Sequence, residues 1–250
     1  MRRATRLLCA SHVAGNALLL WLGYYWLGTG ETTMGRLVWS GLIALLVVCG
    51  ALWLHGAAFA FFRFGERDAL RPAFRAALAH LAPLFVLGVA ALIVYGALAW
   101  WRDYSAQPAF KLASYLTQHL RKPVKPASVQ AVFNGVLWLV RWAALPVVLL
   151  PLASAISSKG WHGLRGESRG LRRRWLYWVE VAALCVAGLW LPLKLIAWVP
   201  EFHAFSVQML SFMLRLFIAY LLFTSALLLL ELFSSAGSPR VNQVKTVSAP

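Results

Sequence analysis

Six long apolar runs, separated by short basic or aromatic connections, dominate the chain. The clearest are two arms around residues 129–156 and 175–200. The first is mostly apolar, with Asn134 and the single charge Arg141 inside it, and the second is apolar except for Glu180 and Lys194. Each approximates the roughly 20 residues, at about 1.5 Å rise each, that cross a bilayer core as a helix. Between them, residues 157–174 carry Lys159, Arg165, Arg169, Arg172, Arg173 and Arg174 against one acid, Glu167. A short basic loop between two spans is a strong orientation signal and assigns that loop to the cytoplasm.

The other apolar runs predict spans at about 7–27, 37–62, 79–101 and 207–233. The expected fold is therefore all-α: a membrane bundle of six helices arranged as three hairpins, with short interfacial helices. The amino terminus imitates a secretory signal, but His12 and Asn16 break its apolar part and no small-residue cleavage site follows, so it is expected to be retained as the first span. Residues 66–78 have helical spacing, with Leu70, Phe74 and Leu78 on one face and Arg67, Arg71 and Arg75 on another. They predict a surface helix leading into span three. In the outer loop, 102–128, Phe110, Ala113, Leu116 and Leu120 recur at three- and four-residue spacing. An amphipathic helix is expected there, after Pro108 and ending before Pro123. Residues 234–250, rich in Ser, Pro, Gly and Val without periodicity, are expected to be a disordered cytoplasmic tail.

Charge fixes the expected topology. The amino terminus, residues 63–75, residues 157–174 and the tail hold fifteen basic residues, and the opposite side holds seven. Both termini are thus expected in the cytoplasm and the chain in a bacterial-type inner membrane. Weak internal echoes, Leu70-Arg71 before Phe74 against Leu171-Arg172 before Trp175, and Ser128-Val129-Gln130 against Ser206-Val207-Gln208, are what hairpin duplication leaves.

Composition removes several function classes. The chain is 61% hydrophobic and 13% charged, so its net charge of +16 lies at span ends and in loops. That distribution needs no nucleic-acid partner. Membrane lipids and a membrane-protein partner are the expected contacts. Cys9, Cys49 and Cys185 all sit in apolar runs without a CxxC pair, which argues for buried thiols. No nucleophile-elbow, zincin or P-loop spacing occurs, and Asp68 and Asp103 fall on opposite sides of the membrane. The expectation is a non-enzymatic interaction, assembly or lipid-associated component, with no cofactor.

Charges inside spans carry the candidate chemistry, because they are expensive there. Depth counting brings Arg141 and Glu180 within about 5 Å of one level, suggesting a structural ion pair between spans four and five. Arg141, Lys194 and Arg215 together offer an alternative role: an anion or lipid-headgroup site in a transporter or permease subunit. A second alternative is a haem or metal protein, because His12, His55 and His80 share a similar depth on spans one to three. No ligand spacing motif joins these histidines, so no metal is expected.

Overall fold

A computed structural model describes residues 3–30, 32–65, 70–164, 175–201 and 204–236. Among them there is no strand, and six helices are long and apolar enough to cross a membrane. In chain order the elements are α1 (Arg3–Leu27), α2 (Met34–Phe64), α3 (Leu70–Ala79), α4 (Leu81–Tyr104), α5 (Ala106–Leu120) and α6 (Pro126–Leu139). A π-turn (Val140–Ala144) joins α6 to α7 (Leu145–Lys159). Next come α8 (Trp175–Cys185), a second π-turn (Val186–Trp190), α9 (Leu191–Ala197) and α10 (Phe205–Ala236). The six spans are α1, α2, α4, α6–α7, α8–α9 and α10, so the chain is a multi-pass membrane helix bundle.

Consecutive spans pack side by side, and α10 closes back onto α1 and α2. The second helix is central, touching α1, α3, α4, α7 and α10. Its composition explains why. From Gly56 to Ala60 the side chains are small apart from Phe59, and all are buried, so neighbouring helices approach closely, as membrane packing requires. A Cβ on Gly56 would sit 2.9 Å from Leu84 Cδ1. The core is thus concentrated at the end where α1 begins and α2 and α10 finish, with Leu8, Ala58, Ala60, Phe61 and Ala73 in one cluster.

Local signals set the ends. Thr33 caps α2 by accepting from the Arg36 N–H, and Gly65 ends it in the left-handed region at φ 64°. Pro126 begins α6, where its missing N–H costs nothing. The two π-turns have a common cause. Both follow V-x-x-x-x-L-P, as Val140 to Pro146 and Val186 to Pro192. Leu145 N–H bonds Val140 O and Leu191 N–H bonds Val186 O, widening each helix by one residue just before a proline that lacks a donor. In the first turn this strands the Arg141 carbonyl, and the Tyr95 hydroxyl of α4 donates to it at 2.9 Å. Tyr95→Phe is expected to lower stability by about 1–3 kcal/mol, the cost of a buried carbonyl left without a donor. Thermal unfolding in detergent reads this directly, and an unchanged midpoint would refute it.

Several sequence expectations are refined. The α5 helix exists as expected, but it begins before Pro108, which occupies the first turn. It buries Ala109 and Ala113, with Leu116 packed beside them, against Val129 of α6, while Phe110 and Leu120 point away from the bundle. The α3 helix buries its small face, Ala73 and Ala77, on α2 and leaves Leu78 exposed. The carboxy-terminal span runs past the expected boundary at Ser234, through Ala236. Most of the basic loop (165–174) and the tail from 237 lie outside the described residues.

Candidate metal centre

Each of three spans brings one polar side chain to the densely packed end of the bundle. On α1 the buried residues are Leu8, His12 and Asn16, a four-residue stripe that turns His12 inward. On α2, His55 immediately precedes the small-residue stretch that admits α10. On α10, Glu231 follows four leucines and is held by what comes next. Ser234 shares a hydrogen bond with Tyr177 of α8 at 3.2 Å, and Ser235 shares one with Ser154 of α7 at 3.1 Å. Ser235 also donates to the Phe59 carbonyl at 3.3 Å. Span six is therefore tied to spans two, four and five within one turn of Glu231, which fixes its rotation.

The three side chains meet. Nδ1–H of His55 donates to Oε1 of Glu231 at 2.7 Å. His12 Nε2 lies 3.6 Å from the same oxygen, too far for a hydrogen bond. The two imidazoles stand edge to face with centroids 4.9 Å apart. One donor atom from each of the three residues falls within 4.8 Å of the others. The His12 side chain is 0% exposed, that of Glu231 3% and that of His55 24%. Both ring nitrogens of His12 and Oε2 of Glu231 are buried without a hydrogen-bond partner.

Such a group can do two things. As interhelical glue it would be poor, because a buried imidazole with neither nitrogen engaged forfeits its hydration without compensation. As a ligand set it is apt: two imidazole nitrogens and a carboxylate oxygen suit zinc and other first-row divalent ions. The unpartnered nitrogens are then the lone-pair donors such an ion requires.

The sequence candidates scatter. His12 and His55 come together, and their third partner is Glu231, not His80. Nδ1–H of His80, at the junction of α3 and α4, donates to the Ser157 carbonyl at 3.1 Å and ties that junction to α7. Arg141 and Glu180 form no ion pair. Depth counting sets a level but not a direction, and Glu180 lies about 100° round its helix from buried Val181 and faces outward. Arg141 is part-buried, and its Nε has no hydrogen-bond partner.

Arg215 is buried and engaged. Its guanidinium donates to the Trp198 carbonyl, reaches those of Leu195 and Ile196 at 3.4 and 3.5 Å, and donates from Nε to Ser211 O at 3.2 Å. The carbonyls of Leu195, Ile196 and Trp198 are the orphans where α9 ends, so Arg215 is a helix cap supplied from the neighbouring span. It also stacks between Trp198 and Phe212, while the Lys194 ammonium lies over Trp190. Glu231, an acid inside the apolar run at 207–233, was legible by the rule that flagged Arg141 and is the functional residue missed. No protein-family model, no curated protein and no solved structure matches the chain.

Proposed function

We propose that this multi-pass membrane protein binds a divalent transition-metal ion inside its helix bundle through His12, His55 and Glu231. The observation that carries the reading is the buried convergence of these three donors with both nitrogens of His12 unpartnered. It is favoured over an anion permease because Arg215, a buried cation of span six, spends its donors on carbonyls of its own chain. It is favoured over a purely interaction or lipid-associated role because lipid contact does not require a buried histidine pair.

The test is the metal content of full-length protein purified in detergent from zinc-supplemented cells. Native protein is expected to retain a roughly stoichiometric ion. His12→Ala, unfolding at a similar temperature, is expected to lose it. Equal metal in both would overturn the reading.

Sidedness follows from charge. The metal centre lies towards the end of the bundle where α1 begins and α2, α7 and α10 finish, and the positive-inside rule, applied to the basic residues of the sequence, assigns that end to the cytoplasm of a bacterial-type plasma membrane. External thiol labelling is expected to modify a cysteine introduced at Gln118 and spare one introduced at the exposed position Trp161. The reverse pattern would invert the topology.

A further inference from the structure

Resting on the metal-centre reading above, we propose that the site is an open one: three protein ligands hold a first-row divalent ion, and a further coordination position takes water or a small anion arriving past His55. The donor set argues the class of ion. It contains no sulfur: among the described residues no cysteine joins the group, and Cys185 is packed among Val147, Tyr177, Val181 and Leu230. That disfavours Cu(I), which seeks thiolate or thioether. It also contains a single carboxylate, whereas Ca²⁺ takes six to eight oxygens and Mg²⁺ an octahedron of them.

The number of donors argues openness. Closed structural zinc sites use four protein ligands, and three is the count of sites that keep a position for water or substrate. Among the described residues no fourth His, Cys, Asp or Glu completes the set. Exposure gives the direction. His12 and Glu231 are sealed by the bundle, and only His55 presents a partly accessible edge, so an exogenous ligand must approach along it. Glu231 offers a reason for such a ligand to stay. Its Oε2 is buried and unpartnered, an acceptor for a hydrogen from metal-bound water.

Cobalt substitution reads both the ion class and the open position. Metal-free full-length protein in detergent is titrated with Co²⁺, and in parallel with Zn²⁺, and azide is then added to the cobalt form. The expected result is intense visible bands of low-coordinate cobalt that shift saturably with azide and survive a large excess of Mg²⁺ and Ca²⁺. Glu231→Gln is expected to weaken uptake by more than the roughly 10–100-fold that loss of an outer-shell partner costs. Cobalt bands that ignore azide, or near-ultraviolet bands typical of sulfur ligation, would overturn the open three-ligand site while leaving a metal centre standing. Uptake of neither Co²⁺ nor Zn²⁺ by native protein would remove the metal centre and this inference together.

Discussion

Glu231→Leu is expected to destabilise the metal-free protein and to abolish metal retention, whereas Glu231→Gln is expected to do only the second. Leucine removes the acceptor of the 2.7 Å bond from His55, at a helix position sealed from water. Each buried polar group left without a partner costs on the order of 1–3 kcal/mol. Glutamine keeps a carbonyl oxygen at nearly the same place, so the His55 contact survives. It lacks the negative charge that a cation draws on, and its amide is a weaker ligand. Thermal unfolding and metal content, measured on the same preparations, separate the two effects. If leucine and glutamine unfolded alike, the Glu231 bond to His55 would have no structural share in the packed end of the bundle.

Arg215→Leu is expected to have a comparable effect on stability for a different reason. The guanidinium serves carbonyls of Leu195, Ile196 and Trp198 where α9 ends. At membrane depth no water can replace it, and each orphaned group again costs on the order of 1–3 kcal/mol. Arg215→Lys is expected to recover only part of the loss, because an ammonium lacks the planar fork that spans several acceptors. An Arg215→Leu variant that unfolded like the native protein but lost binding of an anionic lipid would restore the anion-site reading.

The bundle itself was legible because a bilayer leaves few alternatives. An apolar run of about 20 residues must be a helix, since only that fold satisfies its own backbone within one segment. The amphipathic α5 was legible from its spacing alone. Depth was legible too, and it brought His12 and His55 to one level, where the structure finds them in contact.

Direction was not legible. Which way a side chain points depends on how neighbouring helices rotate, and that is set by small residues and hydroxyls whose partners are far away in sequence. Hence Arg141 and Glu180 share a level without meeting. Ser234 and Ser235 read as the start of a polar tail, yet they are buried because Tyr177, Ser154 and the Phe59 carbonyl need them. Glu231 stands inside the run at 207–233, directly after four leucines, and its partners His12 and His55 are far away in sequence. The two π-turns left a visible trace in V-x-x-x-x-L-P, but a proline alone predicts a kink and not which register the helix adopts around it.

The most direct measurement is X-ray absorption at the metal edge of zinc-loaded, full-length protein. A centre built from His12, His55 and Glu231 predicts a first shell of nitrogen and oxygen at about 2.0–2.2 Å with the outer-shell signature of two imidazoles. A shell at about 2.3 Å, the distance of zinc to sulfur, or a spectrum without imidazole scattering would contradict it.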